Sequence, residues 1–285
     1  METKDTVFKL KKTLNLKGKI LDLSSPVVMS IINVTPDSFF PGSRASLDKE
    51  ILKLAEKALS EGAGILDIGG YSSRPGAEDI PEEEELKRVV KGISLICKEF
   101  PEANISVDTF RAAVAKSAVD AGACMINDIS GGELDPNMFD TVSFLKVPYV
   151  LMHMKGTPQT MKGLCNYDNL LLEIIDFLQK KLNILLKLGV SDIILDPGIG
   201  FAKTIDHNYE ILKKIKYFAF LNTPFLIGIS RKSMIFKRLK VEVEEALNGT
   251  TVLNTMSLMH GASIIRVHDT KEAVEAVTLY KLLNN

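Results

Sequence analysis

Short runs of apolar, often β-branched residues that close on Asn, Asp, Gly or Ser alternate along the chain with longer stretches whose apolar residues recur at helical spacing. The runs predict strands at Val27 to Asn33, Ile65 to Gly69, Ile105 to Asp108, Met125 to Asp128, Tyr149 to His153, Ile193 to Asp196, Phe225 to Ser230 and Ile264 to His268. Helices are expected to begin near Leu47, Glu82, Phe110, Asn137, Asp168, His207, Val243 and Lys271. Strict strand-then-helix alternation implies parallel strands joined by right-handed crossovers. The eight units close most economically into an α/β fold of the (β/α)8 TIM-barrel type, with a doubly wound open sheet as the alternative. Residues 7–24 alternate apolar and polar around Gly18 and predict an N-terminal hairpin covering the bottom of the barrel. No linker divides residues 1–285, so a single domain is expected.

Parity along the strands points to chemistry. Alternate side chains of a barrel strand face inward, and active sites gather at the C-terminal strand ends. With Ile105, Val107, Ile126, Ile265 and Val267 facing the helices, Ser106, Asp108, Met125, Asn127, Arg266 and His268 face inward. Taken singly, Asp108 could cap the following helix and Asp128 could be a turn residue. Asn33, Asp108, Asn127, Asp196, Arg266 and His268 nevertheless fall at one mouth, where buried polar groups without a ligand would be unfavourable. The glycine-bearing segment Asp196 to Lys203 lacks the third glycine of a dinucleotide fingerprint, and its glycines suit a tight turn around a ligand. Gly228 clears space at the seventh strand end, where Lys232 and Ser233 can reach the mouth. The exits after the first two strands, Thr35 to Ser43 and Gly69 to Gly76, are rich in turn residues and read as lids that carry Asp37 and Arg74.

Composition narrows the field. Against 36 acidic residues stand 35 basic ones, a balance that excludes the general electrostatic pull of nucleic-acid binding and leaves any anion site local. The cysteines, Cys97, Cys124 and Cys165, form neither a CxxC motif nor an even framework and read as reduced thiols. Without a signal-like or membrane-spanning apolar run, no membrane association is expected and the cytoplasm is the expected location.

Read in order, Asn33-Val-Thr-Pro-Asp-Ser-Phe39, Asp67-Ile-Gly-Gly, Ser73-Arg-Pro-Gly76, Ser106-Val-Asp-Thr109, Ile126-Asn-Asp128, Met152-His-Met-Lys-Gly-Thr-Pro-Gln159, Asp196-Pro-Gly-Ile-Gly-Phe201, Ser230-Arg-Lys-Ser233 and Arg266-Val-His-Asp269 resemble dihydropteroate synthase. The resemblance implies condensation of 6-hydroxymethyl-7,8-dihydropterin diphosphate with para-aminobenzoate in folate biosynthesis. It implies a pterin pocket of Asp108, Asn127, Met152, Asp196, Gly228 and Lys232, and a diphosphate site of Asn33, Arg266 and His268. It places Mg2+ as the cofactor, with Asn33 as a metal contact, and a para-aminobenzoate site of Ser73, Arg74, Pro75, Phe201 and Ser233. Asp37, Arg74, Lys232, Arg266 and His268 would serve catalysis, and a homodimer is implied. A carboxylate suits the pterin because it accepts two parallel hydrogen bonds from the ring N–H and amine. The chain departs from the family pattern at Tyr71, where many members carry an acidic residue, at Phe40-Pro41, and mildly at Ser73. The rival readings are a pterin-binding methyltransferase module, which would need neither the Asn33 to Phe39 loop nor the Ser230 to Ser233 segment, and a non-catalytic pterin-binding paralogue.

Overall fold

The computed structural model describes residues 11–35, 44–72 and 79–284. The chain opens with β1 (Thr13–Leu16) and β2 (Lys19–Asp22), then runs β3 (Val27–Asn33), α1 (Arg44–Ser60), β4 (Ile65–Gly69), α2 (Glu82–Glu99), β5 (Ile105–Asp108), α3 (Ala112–Asp120) and β6 (Met125–Asp128). It continues α4 (Met138–Leu145), β7 (Tyr149–Met152), α5 (Leu170–Lys187), β8 (Ile193–Asp196), α6 (Ile205–Lys213), β9 (Leu226–Ile227), α7 (Ser233–Leu239), α8 (Leu247–Met259), β10 (Ile264–Val267) and α9 (Thr270–Asn284).

All the ladders from β3 to β10 are parallel, in the order β8-β7-β6-β5-β4-β3-β10-β9. The Leu195 N–H donates to the Pro224 carbonyl at 2.9 Å beside a parallel bridge from Leu195 to Phe225, which closes the ring as the strand pattern predicts. Outward-facing Val28, Ile32, Leu66, Ile68, Val107, Ile126, Leu151, Leu195, Ile227 and Ile265 pack beneath the helices in one continuous core. Two expectations are corrected. The seventh strand shrinks from Phe225 to Ser230 to β9 alone, because the chain leaves the ladder at a turn in which Lys232 N–H donates to the Ile229 carbonyl and Arg231 takes φ 54°. The helix expected near Val243 divides: α7 ends on left-handed Lys240, a 3-10 turn capped by Glu242 spans Val243–Ala246, and α8 follows.

The barrel interior is apolar at its floor. Met29, Ile65, Met125, Val150, Ile194, Leu226 and Ile264 form one cluster with Leu14, Leu16 and Leu23. The hairpin thus plugs the bottom, as its alternation implies. Its turn places Lys17 and Gly18 at φ 53° and 99°, the left-handed pair that matches the twist of the flanking strands. Leu14 is fully buried in this plug, whereas Ile20 on the same hairpin is 62% exposed. Leu14→Ala should therefore destabilise the protein by about 2–5 kcal/mol, while Ile20→Ala should stay within about 0.5 kcal/mol. Urea denaturation midpoints measure both. A similar loss for the two variants would mean that the hairpin does not seal the barrel.

Candidate active site

One layer above the apolar floor the same strand faces become polar. Asp67 is fully buried between outward-facing Leu66 and Ile68, and its Oδ2 accepts from Asn127 Nδ2 at 2.9 Å and from Arg266 Nε at 2.6 Å. Arg266 Nη2 donates to Asp108 Oδ2 at 2.5 Å. Of the expected inward set of β5, β6 and β10, Asp108 and Asn127 thus join Arg266 in one hydrogen-bonded group through Asp67, whereas Met125 belongs to the apolar floor and His268 is exposed. Asp108 is an ion-pair partner and not a helix cap, whereas Asp128 is a turn residue, accepting from Ser130, Gly132 and the Tyr149 hydroxyl on the outer face.

Asp67 escaped the sequence reading as a site residue, although its parity was readable there: it shares a strand face with Ile65 and Gly69, and its neighbours point to the helices. The Asp67 Oδ1 and Ser106 Oγ atoms are buried and make no hydrogen bond among the described residues. Two buried carboxylates thus share one cation. Burial pushes the Asp108 carboxyl up to about 7, against the lowering pull of Arg266, and the Asp67 charge adds to the rise. The same carboxylates hold the Arg266 guanidinium above its ordinary value despite burial.

Across the mouth, Asp196 Oδ1 accepts from the Gly198 N–H at 2.7 Å, and burial raises its carboxyl above the ordinary range against the pull of Lys232. The Lys232 ammonium donates to the Ile199 carbonyl and lies 4.8 Å above the Phe201 ring. Burial lowers Lys232 to about 8, opposed by Asp196. Met152 is buried at the end of β7, next in register to Asp196. A methyl group at Gly228 would sit 3.8 Å from Arg266 Cβ and 3.9 Å from Lys232 Nζ, so the glycine leaves the face between these cations open.

Asn33 Oδ1 and Asp108 Oδ2 lie 3.5 Å and 3.8 Å from where a Gly69 Cβ would stand, so these two oxygens converge over a gap in the β4 face. His268 is exposed, and its ring Nδ1 shares a 3.0 Å hydrogen bond with Ser230 Oγ. Ser233 is exposed at the first position of α7. The structure thus brings Asn33, Asp108, Asn127, Met152, Asp196, Phe201, Gly228, Lys232, Ser233, Arg266 and His268 to one end of the barrel. Asp37, Ser73, Arg74 and Pro75 lie outside the described residues. Tyr71, the departure at the second strand exit, accepts from Gln159 Nε2 at 2.6 Å and packs edge-on against Phe110 beneath the Arg111 guanidinium.

A separate cleft of about 610 Å³ opens between the β6 and β7 exits and α5, lined by Glu133, His153, Lys155, Glu173, Asp176 and Lys180 among others. Its charges partly pair with one another, as Lys155 with Glu173 at 2.8 Å, so they do not converge on a single ligand. Among the described residues no cluster of three His, Cys, Asp or Glu side chains could hold a metal.

A closed barrel whose mouth gathers buried carboxylates, an amide and two cations has the layout of an enzyme site for a polar small molecule. The sequence profile described as "Pterin binding enzyme" matches residues 29–268. The chain is 40% identical over 263 residues to the dihydropteroate synthase of Escherichia coli strain K12, covering 92% of this chain and 93% of that one. The Xanthomonas albilineans dihydropteroate synthase solved with 4-aminobenzoic acid superposes with a TM-score of 0.89 at 36% identity, covering 96% of this chain and 98% of the other. The same enzyme in complex with 7,8-dihydropteroate gives a TM-score of 0.86 at 34% identity, covering 95% and 98%. The chain belongs to the pterin-binding enzyme family and, within it, to the dihydropteroate synthases, which are transferases.

The burial of Asp108 has a thermodynamic consequence. Asp108 ionises near pH 7 when folded and near 3.8 when free, so its contribution to stability is fully present below about 3.8 and is lost as pH rises through about 7. The stability of the wild type relative to Asp108→Asn should therefore fall as pH is raised across this window and level off above it, as read by urea denaturation at a series of pH values. A flat difference would mean that Asp108 is ionised throughout.

Proposed function

We propose that this protein joins 6-hydroxymethyl-7,8-dihydropterin diphosphate to para-aminobenzoate, releasing pyrophosphate and forming 7,8-dihydropteroate for folate biosynthesis. The observation that carries this reading is the polar layer in which Asp108, Asn127 and Arg266 are fixed around Asp67, opposite Asp196 and Lys232. Asp196, Asn127 and Asp108 would read the pterin edge, with buried Met152 and the open face at Gly228 giving the ring somewhere to lie. Asn33, Arg266 and His268 would receive the diphosphate. Arg266 Nη1 makes no hydrogen bond among the described residues and remains a donor for a phosphate oxygen. Phe201, Lys232 and Ser233, with Ser73, Arg74 and Pro75 and with Asp37 closing over them, would receive the acceptor.

In the reaction the bond between the pterin methylene carbon and the diphosphate oxygen breaks, and its electron pair leaves with pyrophosphate. The arylamine lone pair forms the new C–N bond, and the amine gives up a proton. Negative charge grows on the leaving group, so fixed cations aimed at it act more on rate than on ground-state binding. The oxygens at Asn33 and Asp108 suit Mg2+ held mainly by substrate phosphates and water, which needs no cage of protein carboxylates. That ion would neutralise diphosphate charge, with Asn33 as its contact on the protein.

The assembly we infer is a homodimer. Val252, Met256 and Met259 of α8 and Leu279, Leu282 and Leu283 of α9 are half or more exposed on helices that pack together, an apolar surface that a second copy would cover. No described helix is long and apolar enough to cross a membrane, and Cys97, Cys124 and Cys165 are free thiols. We place the protein in the cytoplasm, acting on small molecules and not on nucleic acid.

Mixing the protein with the pterin diphosphate, para-aminobenzoate and Mg2+ should yield pyrophosphate and dihydropteroate in equal amounts, and the absence of both would refute the assignment. Asp196→Asn should weaken pterin binding by one to several powers of ten, because an amide turns an acceptor into a donor facing a donor, at about 1–3 kcal/mol for each mispaired group. Titration calorimetry with a pterin ring analogue reads this directly, and unchanged affinity would remove Asp196 from the ring-reading role.

A further inference from the structure

The segment leaving β8 carries a second lysine that the reaction does not use. Lys203 is 7% exposed, and its Nζ donates to the Phe201 carbonyl at 2.9 Å and to the His153 carbonyl at 3.3 Å, and lies 3.0 Å from His153 Nδ1. Burial brings this ammonium down to about 7, against the pull of Asp196, and in its charged form three protein partners take its three N–H bonds and leave nothing to offer a substrate.

The turn it holds is one that the local sequence does not favour. Ala202 sits at φ 48°, in the left-handed region that is strained for a residue with a Cβ, and the Tyr167 hydroxyl donates to its carbonyl at 2.9 Å. Two glycines make room for two lysines. A Cβ at Gly198, φ 71°, would stand 2.0 Å from the His153 carbonyl oxygen and 3.2 Å from Lys203 Nζ. A Cβ at Gly200, φ 86°, would meet Lys232 Cδ at 3.1 Å. Lys203 takes the Phe201 carbonyl of this turn while Lys232 takes the Ile199 carbonyl and covers the Phe201 ring. The side chain that faces the substrates and the one that does not are therefore fastened to the same few peptides.

We propose that Lys203, with His153 as its acceptor, is a positioning residue for acceptor capture, holding the Phe201–Ala202 peptide so that Phe201 stands where para-aminobenzoate enters. The proposal rests on the reading of Phe201 as part of the acceptor site. His153 is suited to this task because burial and the neighbouring Lys203 and Lys155 charges depress its basicity to about 2, so the ring stays neutral, and a neutral ring that accepts from Lys203 at Nδ1 carries its proton on Nε2.

The test compares steady-state kinetics of Lys203→Met, Phe201→Ala and the double variant, with calorimetric binding of a pterin ring analogue as the control. Lys203→Met should raise the KM for para-aminobenzoate about tenfold or more, as expected for a displaced binding wall, while the pterin Kd stays within about threefold. The double variant should be no worse in KM than Phe201→Ala, since two changes acting through one side chain do not add. A raised KM in Phe201→Ala with a normal KM in Lys203→Met overturns the proposal alone, and so does a double variant whose effects add. A normal KM in Phe201→Ala overturns the acceptor-site reading and the proposal with it. If Lys203→Met does not fold, two measurements stand in for it. Tyr167→Phe should raise the same KM by a smaller factor, and an unchanged KM counts against the proposal. Nitrogen-15 NMR of the wild type should find His153 with its proton on Nε2 alone from about pH 5 to 8, and a doubly protonated ring in that range overturns it.

Discussion

The placement of Arg266 between Asp67 and Asp108 is the interaction on which the mouth depends. A barrel of this size is filled by side chains, and at its floor the filling is apolar and sealed by the hairpin. Charged groups enter the next layer paired, and a guanidinium whose Nε and Nη2 reach carboxylates on β4 and β5 provides that pairing, while Asp67 Oδ1 and Ser106 Oγ stay without a hydrogen bond among the described residues. Asn127 joins through the same Asp67 oxygen, so the amide and the cation are oriented by one atom. The amide and the guanidinium of the mouth are thereby set by a single buried carboxylate.

The charge balance of this layer is deliberately uneven in its effect. Asp67 and Asp108 outnumber Arg266, and Asp196 faces Lys232 across the opening. Burial opposes the ionisation of Asp108, Asp196 and Lys232, pushing Asp108 up to about 7 and Lys232 down to about 8. In the proposed function, a pterin donating hydrogen bonds to the carboxylates, or a diphosphate facing the cations, would complete pairings that the protein alone leaves unfinished.

Much of this was legible in the chain. The closed parallel barrel followed from the alternation of runs, and strand parity placed Ser106, Asp108, Asn127 and Arg266 on the inner face, because a period of two leaves little freedom once the outward residues are identified. The same parity marks Asp67, which was passed over because a lone carboxylate inside an apolar strand carries no sign of its partner: Arg266 lies 199 residues further along. Lys203 and His153 were less readable still. Their pairing spans 50 residues and depends on a turn that Ala202, unlike glycine, does not announce. The short β9 and the divided helix after it were missed because apolar content persists past the points where left-handed Arg231 and Lys240 end the regular structure.

The hairpin bears on the order in which the molecule can be assembled. Leu14, Leu16 and Leu23 touch residues drawn from strands along the whole chain, from Met29 to Ile264. Its lysines reach equally far: Lys17 to the Val119 carbonyl, Lys19 to the Glu102 carbonyl and Lys11 to Asp192. None of these partners forms one surface until the barrel has closed through β10, so a hairpin that precedes every barrel strand in the chain cannot be fully seated before the last of them is in place. Contacts of such sequence separation are slow to form because the intervening chain must be ordered first. The floor of the barrel is thus sealed only by contacts of long sequence separation, and wherever the hairpin is out of place the apolar ends of the strands lie open to water.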